Sequence, residues 1–208
     1  MKILFTGDSI THAFRIEEEL NPLYLYGMGF VRDVIGELVS ENPTGYEFVN
    51  TGICGNRSID LYGRLEEDVC VHKPDVLSLL IGVNDVHYEV QEGNGVDVRT
   101  YEKVYRKIIE ETKEKLPNIK IILLEPYITK GFLTEEHFDK YSEVYEYAKV
   151  AKRLAEEYSL YFVPLQDIIN EYADKYGAKS VINDGIHPNI LGSKIIAEEW
   201  LKVFRKIK

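Results

Sequence analysis

Phe5-Thr6-Gly7-Asp8-Ser9-Ile10-Thr11 continues directly from an apolar run, Ile3-Leu4-Phe5, that is short and branched enough to be a buried strand. Gly7 permits a sharp turn where a side chain would clash. Such a turn lifts Ser9 out of the carboxyl end of the strand, the edge at which open α/β sheets bind their ligands. Taken alone, Gly-Asp-Ser suits an Asp/Ser turn or a helix cap equally well. Three stretches further along the chain give it weight, because each supplies a different part of one reaction.

Outward from this strand, short apolar runs alternate with apolar residues at helical spacing. The segment from 13 to 29, rich in Tyr and Gly, reads as a loop rimming a site. Val31, Val34, Ile35 and Leu38 mark a helix over 30–39, stopped by Pro43 and Gly45. Tyr46-Glu47-Phe48-Val49 is a second strand, followed by the Gly-rich turn Asn50-Thr51-Gly52-Ile53-Cys54-Gly55-Asn56. A helix over about 58–71 leads to a third strand at 76–81, apolar enough to be central and parallel. A polar loop is expected from 84 to 99, because Gly93-Asn94-Gly95 argues against regular structure. Then come an amphipathic helix over 101–116, a strand at 119–124, and a loop with Pro126, Gly131 and Phe132. A long helix over 135–158, a strand at 161–163, a helix over 165–176 and a last helix starting near Pro188 complete the chain.

This alternation predicts one domain over 1–208, with a five-stranded parallel sheet and helices on both faces. The expected strand order is 2-1-3-4-5, with a topological switch beside strand 1. In that order strands 1, 2 and 3 are neighbours, so Ser9, Gly55 and Asn84 converge at their carboxyl ends.

Composition narrows the function classes. The net charge of −10 would repel phosphates, which argues against nucleic acid or an anionic membrane as partner. No apolar run approaches the roughly 20 residues that span a bilayer. No apolar h-region with a small-residue cleavage site precedes the first strand, and Cys54 and Cys70 form neither a disulfide framework nor a zinc-ligand spacing. A cytoplasmic location is the expectation. With 15 Tyr, 8 Phe and 1 Trp, a homo-oligomer would follow if a share of these rings lay exposed.

A serine hydroxyl needs a base within hydrogen-bond reach before it can act as a nucleophile. His187, in Asp184-Gly185-Ile186-His187-Pro188-Asn189, is the candidate. Pro188 biases it towards an extended backbone and starts a helix, which fixes the exit angle of the ring. Asp184 can turn back to accept a hydrogen bond from the imidazole, setting its tautomer and stabilising the imidazolium. Helix start and carboxylate pull the base in opposite directions, so it is expected to titrate near neutrality. Attack on an ester also creates an oxyanion. The backbone N–H groups of Ser9 and Gly55 and the side-chain amide of Asn84 are the candidate donors, while Asp8 and Asp85 are expected to brace turns.

Gly7-Asp8-Ser9-Ile10, Gly55, Gly82-Val83-Asn84-Asp85 and Asp184-Gly185-Ile186-His187-Pro188 match, in order, the four blocks of the SGNH (GDSL-type) hydrolase family. The resemblance runs across the whole chain. It implies a flavodoxin-like three-layer α/β/α fold and a site without metal or other cofactor. It also implies Ser9, Asp184 and His187 as the catalytic set, with Ser9, Gly55 and Asn84 as the oxyanion hole. Asp60-Leu61, Arg64, Asp68-Val69 and Lys73-Pro74-Asp75, taken with Asn50 to Asn56 and Ile81 to Asp85, resemble a cytoplasmic branch that removes acetyl groups from xylan-derived oligosaccharides. This chain departs from that branch at His87-Tyr88, where a Trp often follows the Asn-Asp pair, and at Cys54, where Ser is frequent.

The reading is thus a serine esterase acting on small-molecule acyl esters, above all acetylated oligosaccharides. Tyr24, Tyr26 and Tyr88 are the candidates for stacking on sugar rings. A lysophospholipase or acyl-thioesterase is the alternative within the family. A metal-dependent phosphoesterase is disfavoured, because the chain has no dense His/Asp cluster such as two-metal sites need. A non-catalytic sugar-binding protein on the same fold is the third possibility.

Overall fold

β1 (Lys2–Gly7) holds Ile3, Leu4 and Phe5 entirely away from solvent, and β3 (Val76–Leu80) is buried at every position. Strands apolar on both faces require cover on both. The structure, a computed structural model, describes residues 1–16 and 24–207. β1 pairs in parallel with β2 (Glu47–Asn50) on one side and with β3 on the other. β4 (Lys120–Leu124) and β5 (Tyr161–Val163) continue the sheet beyond β3. The order is β2-β1-β3-β4-β5, as the alternation of elements predicts. Leu4 lies opposite both Val49 and Leu77, so β1, β2 and β3 finish side by side at their carboxyl ends.

Helices cover the sheet on both faces. On one, α2 (Phe30–Glu41) packs against α10 (Ile190–Phe204). Trp200 of α10 stacks on Phe204 with centroids 4.8 Å apart and lies 5.3 Å from Phe5. Its buried indole N–H donates to Ser78 Oγ at 2.9 Å, the partner that a buried Trp needs. On the other face, α6 (Val98–Lys115) contacts α3 (Ser58–Gly63) and α8 (Val144–Glu157). The buried hydroxyl of Tyr101 on α6 donates to the Ile81 carbonyl at 3.2 Å, just past the end of β3. α9 (Gln166–Tyr176) follows β5.

The elements differ from the sequence reading in three places. The loop expected over 84–99 is largely a helix, α5 (Val83–Glu92). Gly93 is its stop signal rather than part of a loop: it takes a left-handed conformation and its N–H closes on the Glu89 carbonyl at 3.1 Å. The helix expected over 58–71 is broken into α3, α4 (Leu65–Asp68) and a 3₁₀ turn at Cys70–His72. The break falls at Arg64, whose side chain is drawn to the strand ends. The helix expected over 135–158 is divided into a 3₁₀ turn (Glu135–His137), α7 (Phe138–Tyr141) and α8. At that second interruption the Ser142 hydroxyl bonds the Asp139 carbonyl, the local competition by which serine disfavours helix interiors. α10 starts two residues after Pro188, with Asn189 as its cap accepting from Leu191 and Gly192 N–H. Part of the 13–29 segment, residues 17–23, lies outside the described residues. Among the described residues no helix is long and apolar enough to cross a membrane.

Candidate active site

At the end of β1, Gly7 turns the chain at φ +153°, and a Cβ there would stand 2.1 Å from the Leu80 carbonyl oxygen. The position is closed to any side chain. Asp8 then caps the one-turn helix α1 (Ser9–His12), its Oδ1 accepting the Ile10 N–H at 2.9 Å. This carboxyl is fully buried, and its Oδ2 has no hydrogen-bond partner among the described residues. Burial pushes its pKa up to about 6, against the opposing pull of the Ile10 N–H and of His187. Ser9 follows as the first residue of α1 and lines a cavity of about 640 Å³.

Ser9 Oγ lies 2.8 Å from His187 Nε2, and His187 Nδ1 lies 2.7 Å from Asp184 Oδ2. The other Asp184 oxygen accepts the backbone N–H groups of Ile186 at 2.8 Å and His187 at 2.7 Å. With its Nδ1 proton given to this carboxylate, the neutral imidazole presents an acceptor to the serine hydroxyl. The Asp184 hydrogen bond, joined by the charges of Asp184 and Asp8, raises the His187 pKa above the ordinary value despite partial burial. Burial drives Asp184 upwards, but the bonds from the ring and from two backbone amides outweigh it and hold the carboxyl below its usual range. The expected balance at His187 therefore tips towards the carboxylate.

The 129–134 segment supports this turn from behind. Thr129 N–H donates to the Gly185 carbonyl and Leu133 N–H to the Asp184 carbonyl, both at 3.0 Å. Gly185 adopts φ +102°, and a Cβ on it would meet Thr134 Oγ1 at 2.2 Å. Nothing in the composition of 129–134 marks it as a scaffold for the histidine turn, and the sequence reading missed it.

Gly55 and Asn84 line the same cavity as Ser9, Asp184 and His187. Asn84, at the start of α5, donates one amide hydrogen to the Asn56 carbonyl at 3.0 Å. The neighbouring Asp85 is buried and receives both the N–H and the hydroxyl of Ser58. Burial pushes it up to about 7, although the Ser58 bonds oppose the shift. Asp8 and Asp85 both brace turns. Arg64 gathers the strand ends: its guanidinium donates to the carbonyls of Gly7 at 3.0 Å and Thr51 at 2.7 Å, and to Asn56 Oδ1 at 2.6 Å. Asp85-Val86-His87 has the Asp-x-His spacing of a metal-ligand pair, yet its side chains part, Asp85 to Ser58 and His87 to Tyr141. Among the described residues no group of three or more His, Cys, Asp or Glu side chains is placed to hold a metal ion.

The rim departs from expectation. Of the three tyrosines, only Tyr88 lines the cavity; its hydroxyl stands over Gly55, and the Arg57 guanidinium lies 5.7 Å from its ring centroid. Tyr26 packs edge-on against Phe48, with centroids 6.2 Å apart, and Tyr24 is exposed outside the cavity lining. Tyr26 is drawn to the core because an aromatic ring beside β2 buries more apolar area there than at a rim. The walls are instead apolar: Phe14, Met28 and Ile190 line the cavity while remaining 78%, 62% and 91% exposed. The position of Ile190 straight after the Asn189 cap, off the buried stripe of α10, was the available signal. Phe14 and the preceding Ala13 both have left-handed backbones, at φ 62° and 43°. Such conformations are costly for residues with a Cβ and gather at functional sites.

Known proteins resemble this chain over nearly its whole length. Residues 5–195 match the GDSL-like lipase/acylhydrolase family. An acetylxylan esterase from Geobacillus stearothermophilus is 36% identical over 97% of this chain and 92% of its own length. A putative GDSL-like lipase from Parabacteroides merdae superposes with a TM-score of 0.92 at 36% identity, covering 97% of this chain and 94% of that one. The Geobacillus esterase superposes with a TM-score of 0.85 at 34% identity, covering 97% and 92%. It has also been solved as catalytic mutants in which a serine, an aspartate or a histidine is replaced by alanine. The chain belongs to the GDSL-like lipase/acylhydrolase family and is a carboxylic ester hydrolase.

Proposed function

We propose that this protein is a serine esterase that removes acetyl groups from carbohydrates through an acyl-Ser9 intermediate. The observation that carries the proposal is the continuous hydrogen-bonded line from Ser9 Oγ through the His187 ring to Asp184. Ser9 Oγ attacks the ester carbonyl as its proton passes to His187 Nε2, and Asp184 stabilises the imidazolium. The oxyanion is received by the N–H groups of Ser9 and Gly55 and by the second amide hydrogen of Asn84. Collapse of the tetrahedral intermediate expels the sugar oxygen, which takes the proton from His187. Water then attacks acyl-Ser9, with His187 again as base, and releases acetate and the serine.

The choice of a carbohydrate acetyl ester is supported by the acetylxylan esterase likeness over nearly the full chain. Two cysteines without a disulfide, exposed Cys54 and buried Cys70, suit the reducing cytoplasm expected for its place of action. The apolar rim of Phe14, Met28 and Ile190 favours a second reading, in which the site takes longer acyl chains as a lysophospholipase or acyl-thioesterase would. Acetate release from acetylated xylo-oligosaccharides and other acetyl-sugars, alongside a chain-length series of nitrophenyl esters, separates the two. The proposal expects acetate to be preferred over octanoate, and the reverse order would replace it with the second reading.

A further inference from the structure

α5 turns Asn84, His87 and Tyr88 towards the cavity, at the i, i+3 and i+4 positions that share a helix face. The reaction as derived uses Asn84 and leaves His87 without a part. His87 Nδ1 lies 2.8 Å from Tyr141 Oη, and the amide Nε2 of Gln91, one turn further along α5, lies 3.0 Å from the same oxygen. Tyr141 is fully buried. An amide nitrogen only donates, so the phenol oxygen accepts from Gln91, and the buried phenol proton has His87 Nδ1 as its acceptor: a ring carrying its proton on Nδ1 would leave that O–H unpaired. Acid strength agrees: a phenol, with a pKa of about 10, is a better donor than neutral imidazole, and an imidazole nitrogen, at about 6.5, is the better acceptor. This chain of bonds assigns the proton of the neutral ring to Nε2, the nitrogen that Tyr141 leaves unengaged on a ring lining the cavity. Burial and the adjacent His187 both hold His87 below the ordinary histidine range, so the ring is uncharged at neutral pH. An uncharged ring here also avoids opposing the imidazolium that forms at His187.

We propose that His87 is a specificity-determining residue whose Nε2–H, set in place by Tyr141 and Gln91, donates a hydrogen bond to a hydroxyl or ring oxygen of the acetylated sugar. This rests on the carbohydrate reading of the same site and extends it to the leaving-alcohol side. A fixed donor discriminates against leaving groups that place no hydroxyl or ring oxygen against it, because a desolvated N–H left unpaired is costly. Tyr141 and Gln91 act through His87 and are positioning residues.

The test compares kcat/KM on an acetylated methyl xyloside with kcat/KM on nitrophenyl acetate, in wild type, His87→Phe and His87→Gln. It is joined by long-range ¹⁵N NMR of the imidazole at neutral pH in wild type and Tyr141→Phe. The sugar-to-nitrophenyl ratio is expected to fall roughly tenfold in His87→Phe, the scale of one hydrogen bond, and to recover in part in His87→Gln, which keeps an N–H. His87 is expected as the Nε2–H tautomer in wild type and as a mixture of tautomers in Tyr141→Phe. A wild type active on both esters whose ratio survives His87→Phe overturns this inference alone, as does a His87 carrying its proton on Nδ1. A wild type that hydrolyses nitrophenyl acetate but no acetylated xyloside overturns the carbohydrate reading, and this inference with it.

Discussion

Asn84 Nδ2 donates to the backbone carbonyl of Asn56 at 3.0 Å, joining the start of α5 to the turn after β2 that carries Gly55. The bond fixes the plane of the amide, so its second hydrogen has a set direction before substrate arrives. A donor prepared in this way stabilises an oxyanion without reorganising as the charge develops. Asn84→Ala is therefore expected to lower kcat by about 10²–10³, with a much smaller change in KM. Steady-state kinetics on an acetyl ester measures both, and a loss of kcat below roughly tenfold would remove Asn84 from the oxyanion hole.

The Asp184–His187 pair makes a prediction about pH. His187 must be neutral to accept the Ser9 proton, so activity appears as pH rises through its pKa. The hydrogen bond and charge of Asp184 raise that pKa, which moves the acidic limb of kcat/KM to higher pH. Asp184→Asn removes the charge and the acceptor that sets the tautomer. The expected outcome is a fall in kcat of about 10³–10⁴, with the residual activity setting in at lower pH than in wild type. A limb that stays in place would mean that Asp184 does not govern the base.

Asp8 bears on stability. Its pKa is raised from 3.8 to about 6 by burial, so the folded protein binds this proton more tightly than the unfolded chain does. Its contribution is favourable at low pH, is lost as pH rises from about 4 to 6, and remains lost above that. Asp8→Asn keeps an acceptor for the Ile10 N–H and carries no charge. The variant is expected to melt at a higher temperature than wild type at pH 7, with the gap narrowing towards pH 4. Calorimetry at the two pH values decides it, and a gap that does not narrow contradicts the assignment.

Two glycines should respond oppositely to alanine. Gly185, at φ +102° and crowded by Thr134 and Thr129, cannot take a Cβ without moving the turn that carries Asp184 and His187. Gly185→Ala is expected to cost about 1–3 kcal/mol and to lower kcat more than it raises KM. Gly36 lies inside α2 with nothing within 4 Å of its would-be Cβ. Gly36→Ala is expected to stabilise by about 0.5–1 kcal/mol without touching activity. Chemical denaturation of the two variants checks both signs.

The sheet was legible because its central strands are almost wholly apolar, Ile3-Leu4-Phe5 and Val76 to Ile81 with Ser78 the one polar residue, and because Gly7-Asp8 and Gly82 to Asp85 turn the chain after them. The same topology brings Ser9, Gly55 and Asn84 to one edge of the sheet. α5 was not legible: Asn84 and Asp85 are weak helix formers, and what holds them is tertiary, Asp85 on Ser58 and His87 on Tyr141. The break at Arg64 was hidden for a similar reason. Its guanidinium reaches the Gly7 and Thr51 carbonyls, partners that no local pattern announces. Tyr24 and Tyr26 were placed at the rim by loop composition, whereas Tyr26 finds Phe48 and the exposed apolar places go to Phe14, Met28 and Ile190.

The central claim is that the Ser9 oxygen becomes covalently bonded to the acyl group. Peptide mass mapping of protein quenched during turnover of an acetyl ester, with hydrolysis of the intermediate slowed by acid, tests it most directly. An acetyl group on the peptide containing Ser9, absent in Ser9→Ala, is the predicted result. Full turnover by Ser9→Ala, or an acetyl group found only elsewhere on the chain, would contradict it.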